Sequence, residues 1–423
     1  MAPPLLCGFA RQEITPDRPL RLAGIGGERL GRTVLDPLYV RALALEDRGG
    51  RRALLLVFDL LYVGTALAET IYAAVSESLG VSRDAVLALA THTHSAPQTS
   101  EEFCRGDPVD ERYREAVSLA ALQVAEQAIS ALRPASLSSA EGAGAPAINR
   151  RVSVPAWSRM FPRLRKVKVL NRPNFKAYSD TAVTSYKITF EDGRYLWIVN
   201  AALHAAVHRG EAYSADFPGY LPEQLRKRDS SGNCIDALFL QGWAGDQSVR
   251  LTTRLALSLH PGRLVDYLMH PSVFARDAGP PELAAIADRL CACLDHRAVL
   301  GATEDDDLVC RHHVLDAPLE GGGLRKIQLK SIKLSGMHVL AVSGEPFASY
   351  RRSLELTGRH VMTVGCLDGP FGYLPDARAL KEGGYEPDRS IALFGQQARF
   401  AAAAVERFKD RTQQLIDAQV TSE

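Results

Sequence analysis

The sequence predicts an α/β protein in which mixed sheets are flanked by helices. Short apolar runs of strand length alternate along the chain with longer segments of helical periodicity. Five of the apolar runs end in glycine-containing loops that carry His, Asp, Ser, Glu or Tyr. Loops at one end of buried strands are where α/β proteins assemble their sites. We therefore expect a site built from the ends of several strands.

The composition is that of a globular protein and argues against some classes of partner. Of its 423 residues, 46% are hydrophobic and 23% are charged, which suffices for a sizeable buried core. The formal net charge of +1 provides no field to attract nucleic acid or an anionic membrane. No apolar run approaches the roughly 20 residues of a membrane span. No internal repeat or linker is evident, so we expect a single domain over residues 1–423.

Two further features favour a cytoplasmic location. The first residues lack the basic start and long apolar stretch of a secretory signal. The seven cysteines are scattered and odd in number, as is usual for reduced thiols in a cytosolic protein. The sequence leaves the oligomeric state open.

Hydrophobic periodicity predicts the individual elements. Strands are expected at 52–63, 85–90, 164–170, 184–190, 195–201, 237–240, 339–342 and 361–364. Helices are expected at 66–79, 109–132, 218–228, 281–300, 348–356 and 390–415, with Pro134 stopping the second. Residues 135–162 are rich in Ala, Ser, Gly and Pro and are expected to be irregular. The Gly-rich tract at 320–323 predicts a hairpin turn.

His92 and His94 follow the apolar run 85–90. Side chains at i and i+2 of a strand share one face, so we expect both imidazoles to project the same way at the end of the strand. There they could meet a metal or a substrate. These residues alone do not distinguish a metal site from ordinary hydrogen-bonded loop histidines.

Five segments occur in an order that resembles a known family: 8–16, 36–42, 91–97, 214–220 and 245–248. Together they resemble the catalytic domain of the neutral/alkaline, non-lysosomal ceramidases, over about residues 8–386 and followed by the helix predicted at 390–415. The Thr-His-Thr-His-Ser-Ala-Pro segment at 91–97 is the most specific of them. Members of this family are zinc-dependent amidases that cleave the N-acyl bond of ceramide. The resemblance implies a ceramidase-like zinc hydrolase domain with Zn²⁺ as its cofactor.

The resemblance also implies a set of metal ligands. In the family, zinc is bound by two histidines, a glutamate and a tyrosine. The matching positions here are His92, His204, Glu345 and Tyr373. Tyr385 is an alternative to Tyr373, because it also lies in a Gly-Tyr pair that resembles a family element.

Three other residues are implied to act on the substrate. His94 would either support the metal ligands from beside them or pass a proton from the attacking water to the leaving amine. Arg150, in an Asn-Arg pair that resembles one lining the family's site, or alternatively Tyr373, would help the metal to stabilise the oxyanion. Ser248 matches a family serine that acts as nucleophile or substrate-binding group, and the sequence does not decide between these roles. Asp216 is predicted to be the N-cap of the helix at 218–228 rather than a catalytic group.

The chain departs from the family in two respects. Typical members are secreted or membrane-associated and carry a C-terminal immunoglobulin-like domain, and we expect neither a signal nor that domain here. The family's Gly-Asp-Val-Ser-Pro-Asn motif reads Gly-Asp-Gln-Ser-Val-Arg at 245–250. Arg250 therefore introduces a cation, which would suit a substrate with a carboxylate or phosphate.

The predicted function is that of a zinc-dependent hydrolase. It would cleave the amide (N-acyl) bond of a small or lipid-like substrate by metal-activated water. The alternative is an ester or lactone hydrolase, or a biosynthetic N-acyl transferase, that uses the same zinc site. A non-catalytic binding protein is less favoured, because the ligand residues are intact. The sequence does not identify the substrate.

Overall fold

A computed structural model describes residues 5–26, 28–103, 109–156, 166–254, 271–275, 278–294, 307–356 and 359–418. In chain order its strands are β1 Leu6–Glu13, β2 Leu20–Arg21, β3 Leu30–Gly31, β4 Thr33–Val34, β5 Tyr39–Glu46, β6 Arg52–Phe58, β7 Val86–Ala90, β8 Arg133–Ala143, β9 Ala147–Ala156, β10 Lys166–Asn174, β11 Ala182–Phe190, β12 Tyr195–Ala201, β13 Ala212–Tyr213, β14 Cys234–Gln241, β15 Gln247–Val249, β16 Thr252–Arg254, β17 Ser272–Phe274, β18 Val309–Pro318, β19 Leu324–Leu334, β20 Met337–Ser343, β21 Glu345–Pro346, β22 Val361–Leu367 and β23 Tyr373–Leu374.

The α-helices of the described residues flank these strands. They are α1 Thr65–Leu79, α2 Glu111–Ser130, α3 Phe217–Arg228, α4 Pro280–Cys291, α5 Ala348–Arg352, α6 Ala377–Glu382 and α7 Ala402–Asp417. Short 3₁₀ turns lie at Arg83–Ala85 and Ile391–Phe394, and a π-helical turn lies at Tyr385–Arg389. Within the described ranges, no helix is both long enough and apolar enough to cross a membrane.

A mixed 12-stranded sheet runs through the molecule in the order β14-β12-β11-β8-β1-β5-β6-β7-β22-β20-β19-β18. The pairs β12–β14, β6–β7 and β20–β22 are parallel, and the other neighbours in this order are antiparallel. The pairing between β7 and β22 consists of one residue pair, Leu89 with Leu367. The pairing between β1 and β8 is also short, with Leu6 opposite Pro134 and Cys7 opposite Arg133, and the sheet folds over on itself there. Strands β14, β12, β11 and β8 form one half, and the other eight strands form the half on which they pack.

Alternation along β12 shows how the layers pack. Leu196 and Ile198 belong to the large core that contains β6, β7 and β22, whereas Trp197 and Val199 belong to a second core shared with α3 and α4. Because successive strand side chains point to opposite faces, β12 lies between these two cores. On the other side, buried residues of α1 and α2 join the core of β5 and β6. The layers thus run helix, sheet, sheet, helix, as expected for mixed sheets with flanking helices.

Local chemistry accounts for the ends of several helices. The carboxylate of Asp110 accepts a hydrogen bond from the Tyr113 amide and caps α2. Asp216 accepts one from the Phe217 amide and caps α3, as predicted. Gly80 ends α1 with a φ of 66°, in the left-handed region that favours glycine.

Two sequence expectations for regular structure were wrong. Residues 135–156 are not irregular but form most of β8 and all of β9 (157–162 lie outside the described residues). Strand β8 is bonded to β11 and β1 through its backbone, so its small and polar side chains did not prevent pairing. The helix expected over 390–415 is interrupted, because Gly395 adopts a φ of 59° and α7 starts only at Ala402.

Other expectations agree with the described residues. The Gly-rich tract at 320–323 is a hairpin turn, because Pro318 pairs with Leu324 across it. The helix expected at 281–300 is α4 up to Cys291, and its last residues, 295–300, lie outside the description. Most of the acidic run at 304–307 also lies outside it.

Candidate metal and catalytic site

His92 lies just beyond β7 in a buried turn and not in an extended strand. Its φ of 66° is unusual for a residue with a side chain. Its ring is fully buried, and Nδ1 lies 3.0 Å from the Leu61 carbonyl, in the segment after β6. A bond from Nδ1–H to that carbonyl leaves the Nε2 lone pair directed at the site. The expected i, i+2 strand geometry is therefore wrong, although the rings of His92 and His94 do lie close, with centroids 5.0 Å apart.

A third imidazole comes from the other half of the sheet. His204 follows the end of β12, and its Nε2 lies 3.1 Å from Nε2 of His94. Among the described residues, His92, His94 and His204 form a group in which each ring can offer a ligand atom within 4.8 Å of the others. His94 is thus as well positioned as the two histidines expected to bind the metal.

The surroundings favour neutral rings for two of these histidines. Burial lowers the pKa of His94 well below its ordinary value, and the positive charges of His92, Arg150 and Arg209 lower it further. Burial and then Arg150 lower the pKa of His204 in the same way. A neutral imidazole keeps the lone pair that a metal ligand or a general base needs.

Glu345 approaches the histidines from the end of β20. Its Oε2 lies 3.3 Å from Nε2 of His92 and 3.7 Å from Nδ1 of His204. Its Oε1 accepts a hydrogen bond from the hydroxyl of Tyr62. Both Oε2 and the facing Nε2 of His92 are buried, and neither has a hydrogen-bond partner among the described residues. Such buried polar atoms are costly unless something else satisfies them.

This donor set fits a zinc ion. Zinc binds imidazole nitrogen and carboxylate oxygen at about 2.0–2.2 Å with tetrahedral angles, so two of its ligand atoms are about 3.3–3.5 Å apart. The separations of 3.1 Å between His94 and His204 and 3.3 Å between His92 and Glu345 are close to that value. Nitrogen and oxygen donors in one buried cluster suit zinc better than calcium or magnesium.

Tyr373 reaches the site through strand pairing. It is the β-bridge partner of Glu345 in the short parallel pair β21–β23, so the backbones of the two residues lie side by side. The Tyr385 ring lies 5.8 Å from the Tyr373 ring, and both side chains line the same cavity. The backbone pairing distinguishes Tyr373, whereas Tyr385 belongs to the π-helical turn beside it.

Arg150 lies on β9 and is held by an extensive network. Nη2 donates to the Gly245 carbonyl at 2.7 Å, and Nε donates to Glu386 at 3.1 Å. Nη1 lies 3.5 Å from Nδ1 of His204, and the guanidinium carbon lies 5.4 Å from the centroid of the Tyr373 ring. The charge is only 8% exposed, and the Glu386 carboxylate compensates it. The structure therefore fixes this cation beside the histidines.

Ser248 lies in β15, opposite Ile148 of β9, and its side chain is partly exposed at the cavity. Its neighbours are ordered by a buried carboxylate: Asp246 accepts hydrogen bonds from the Asn149 side chain at 2.7 Å and from the Ala348 amide at 2.9 Å. Asn149 therefore supports the strand that carries Arg150. It is not among the residues that line the cavity.

The segments at 36–42 and 214–220 hold the loop that follows His204. Asp36 accepts hydrogen bonds from the Ser214 hydroxyl and from the Ala215 amide. Asp216 accepts bonds from the backbone amides of Val207 and His208, each 2.9 Å long. These motif residues thus have a structural role near the site, as was expected for Asp216.

The candidate site opens into a cavity of about 200 Å³ in the described residues. Its walls combine charged and aromatic groups with apolar ones, and they are formed by Gly24, Ile25, Gly26, Leu61, Tyr62, His94, Phe103, Arg150, Asn171, His204, Ala206, Arg209, Ser248, Phe274, Glu345, Tyr373 and Tyr385. Arg250, which was expected to bring a cation to the substrate, is not among them. It is exposed, and its guanidinium lies 5.5 Å from the centroid of the Phe175 ring.

Three residues that help to build the candidate site were not predicted from the sequence. Tyr62 and Glu386 hold Glu345 and Arg150 in place. Gly24 is one of several glycines near residue 26. It has a φ of 88°, and a Cβ there would lie 2.3 Å from Nδ1 of His94. Tyr62 could have been found, because it ends an apolar run as the other site residues do. Nothing in the sequence signals that Gly24 packs on His94.

Comparisons with known proteins agree with this architecture at the level of the fold. No protein-family profile matches the sequence, and no curated protein matches it. Among solved structures, the neutral ceramidase from Pseudomonas aeruginosa matches with a TM-score of 0.70 and 16% identity, over 98% of this chain and 75% of that chain. A ceramidase complexed with C2 matches with a TM-score of 0.70 and 15% identity, over 98% of this chain and 76% of that one. The chain therefore has a neutral ceramidase-like fold, as its sequence motifs predicted.

Proposed function

We propose that this chain is a zinc-dependent amidase that hydrolyses the N-acyl bond of a small or lipid-like substrate. One observation carries the proposal: three imidazoles and an unpaired buried carboxylate oxygen converge beside a fixed arginine at one cavity. The likeness to ceramidase structures supports the reaction class, because those proteins share the fold.

His92, His204, Glu345 and Tyr373 are the proposed zinc ligands, and His94 could replace one of them. Bound zinc would supply a Lewis acid and a water acidic enough to attack a carbonyl at neutral pH. The bond from Tyr62 would hold the Glu345 carboxylate in its orientation.

The remaining chemistry belongs to the side chains around this cluster. Arg150 keeps its charge, because burial is outweighed by Tyr373 and Glu386, which raise its pKa. Its guanidinium can stabilise negative charge as it develops on the carbonyl oxygen of the amide. The neutral ring of His94 can accept a proton and return it to the leaving amine. The hydroxyl of Ser248 can bind the substrate amide.

The test combines metal analysis with a substrate panel. Purified protein should contain about one zinc per chain and should hydrolyse at least one N-acyl amide in a reaction that a chelator stops. Glu345→Gln should lower kcat/KM by about 100-fold or more, because it replaces a proposed anionic ligand by a neutral amide. Glu355→Gln, at an exposed position, is the matched control and should retain activity.

Two results would count against the proposal. A zinc content below about 0.2 per chain after gentle purification would contradict the proposal that the protein is a metalloenzyme, since zinc held by several protein ligands is bound tightly. Amides left intact while esters or lactones are cleaved would favour the alternative hydrolase. Acyl transfer to an added amine in place of water would favour the transferase.

A further inference from the structure

We propose that Glu386 is a positioning residue for amide hydrolysis: its carboxylate fixes the direction in which the Arg150 guanidinium faces the substrate carbonyl. This inference rests on the proposed function, in which Arg150 stabilises the oxyanion. Glu386 is not among the described residues that line the cavity, so it acts through Arg150 and not on the substrate.

The carboxylate of Glu386 gives one oxygen to each of two arginines. Oε1 accepts a 3.1 Å hydrogen bond from Nε of Arg150, and Oε2 accepts a bond from Nη1 of Arg151. All three side chains are buried. Arg151 is itself anchored, because its Nη2 donates to the Gly383 carbonyl at 2.7 Å. Hydrogen bonds between ionised groups are strong, and burial strengthens them, so this arrangement resists rotation of either guanidinium.

The local geometry of β9 brings the two arginines to one carboxylate. Arg150 and Arg151 are neighbours on this strand, where successive side chains ordinarily point to opposite faces. The pairing of β9 with β10 is irregular at this point, because its register shifts between Asn171 and Asn174. Such an irregularity increases the local twist of a strand pair and re-aims its side chains. It therefore accounts for how both guanidiniums reach Glu386.

The turn that carries Glu386 is also fixed. Glu386 lies in the π-helical turn Tyr385–Arg389, and its backbone carbonyl accepts a 2.7 Å bond from the Ser390 hydroxyl. A Cβ at Gly384 would lie 2.9 Å from Cβ of Val169 on β10, so the turn packs directly against the strand beside β9. The carboxylate is therefore held by its own backbone as well as by the two arginines.

The anchors on Arg150 determine where its remaining nitrogen points. Nε is bonded to Glu386 at 3.1 Å, and Nη2 is bonded to the Gly245 carbonyl at 2.7 Å. Because a guanidinium is rigid and planar, these two bonds also fix Nη1, which lies 3.5 Å from Nδ1 of His204 beside the cavity. A charge that is oriented in advance needs no reorganisation when the oxyanion develops. Without the bond to Glu386, Arg150 would keep its charge but lose this fixed direction.

A double-mutant cycle between Glu386 and Arg150 tests whether the first residue acts through the second. The variants are Glu386→Gln, Arg150→Met and the two together, each assayed below its own Tm. Glu382→Gln is the matched control, because it removes a carboxylate that lies beside Arg151, 3.8 Å from Nη2. The substrate is the p-nitroanilide of butanoic acid, and the binding probe is propylphosphonate, whose anion resembles the tetrahedral intermediate.

Glu386→Gln should lower kcat about tenfold and change KM by less than about twofold, because the oriented charge acts in the transition state. Arg150→Met should lower kcat by about 100-fold, as the loss of one oxyanion donor does. The double variant should be no slower than Arg150→Met alone, since the two residues act as one unit. Propylphosphonate should bind about tenfold more weakly to Glu386→Gln than to wild type. Glu382→Gln should behave as wild type.

Losses of kcat that multiply in the double variant would show that Glu386 serves the fold alone and would overturn the inference. A wild-type kcat in Glu386→Gln would overturn it as well. If that variant does not fold, Glu386→Asp, which keeps the charge but withdraws the carboxylate, replaces it in the same cycle with the same expected results. If wild type cleaves no amide, the amidase proposal falls separately. Propylphosphonate then decides: weaker binding to Glu386→Gln than to wild type supports the positioning role, and equal binding rejects it.

Discussion

His92 combines a strained backbone with an environment that holds its ring. A φ of 66° for a residue with a side chain costs about 1–3 kcal/mol and persists only where the surrounding structure enforces it. The Leu61 carbonyl holds Nδ1, and the edge of the Tyr62 ring packs on the imidazole with centroids 5.1 Å apart. Because Tyr62 also bonds to Glu345, one side chain orients two proposed ligands.

Tyr62→Phe should therefore weaken zinc binding without unfolding the protein. Burial and then Glu345 raise the pKa of Tyr62, so the phenol stays protonated and donates to the carboxylate. Removing the hydroxyl leaves Oε1 of Glu345 without that donor, and the dissociation constant for zinc should rise by about 10- to 100-fold. Competition with a chromophoric chelator measures this constant.

Tyr350→Phe is the control for that experiment. Tyr350 is a buried tyrosine whose hydroxyl donates to the Pro375 carbonyl at 2.8 Å and which does not line the cavity. It should lose a similar amount of stability and keep the affinity for zinc. Equal affinities in Tyr62→Phe and wild type would show that the bond to Glu345 does not position a ligand.

At the residue scale, the sequence indicated the groups that carry the chemistry but not the groups that hold them. His92, His204 and Glu345 lie in recognisable motifs, and the structure brings them together. Their roles as ligands stay predictions. Arg209 and Gly24 line the cavity from a loop and a turn whose paths depend on contacts far along the chain, so local patterns contain no signal for them.

Among the elements, β9 and β15 link the site to helix α5. Asp246, between β14 and β15, accepts bonds from Asn149 of β9 and from Ala348 at the start of α5. The carboxyl group is 5% exposed, and burial raises its pKa from 3.8 to about 6. Its protonation therefore couples pH to the packing of these elements.

Asp246→Asn should change how stability depends on pH. With a pKa raised in the folded state, Asp246 binds a proton more tightly there than in the unfolded chain. Its contribution to stability is therefore fully present below about pH 4 and is lost as pH rises to about 6. At about 1.4 kcal/mol per pH unit, the unfolding free energy of wild type should fall relative to Asp246→Asn by about 3 kcal/mol over that range. Urea unfolding at pH 4 and pH 7 tests this, and a difference that does not vary with pH would contradict it.

Strands were predicted correctly where burial on both faces requires a continuous apolar run. Strands such as β12 and β14 are buried on both faces, and their continuous apolar runs identified them. Strands β8 and β9 were missed, because backbone pairing with distant strands stabilises them without an apolar pattern. Missing these strands matters for function, because β9 carries Arg150.

Across the whole molecule, the candidate site joins two halves of the sheet. His92 and His94 follow β7, and Glu345 follows β20, whereas His204 follows β12 in the half that packs against them. Asn200, at the end of β12, also bridges the halves, because its side chain donates to the carbonyls of Leu240 and Thr363. A metal bound by these residues would bind the folded state and not the unfolded one.

Chelation should consequently destabilise the whole protein. A ligand present at about 1,000 times its dissociation constant adds about 4 kcal/mol to the free energy of unfolding. Removing zinc should lower Tm by several degrees, and adding it back should restore the value, as differential scanning calorimetry can measure. Glu345→Gln should show little of this shift, whereas Tyr350→Phe should show all of it. The same Tm with and without chelator would argue against a metal that links the two halves.

The sequence by itself determined the α/β class, the strands buried on both faces, the neutral ceramidase-like fold and the residue types of the site, because periodicity and ordered motifs are local properties of the chain. Only the tertiary structure decided that His94 is as well positioned as His92 and His204 to bind a metal. It also decided that Tyr62 holds Glu345 and that Arg209 rather than Arg250 lines the cavity. These relations depend on segments that are distant in sequence and meet where the sheet folds over on itself. The physical reason is that loop paths follow from long-range hydrogen bonds, such as those from Asp216 and Arg29, which no local pattern encodes.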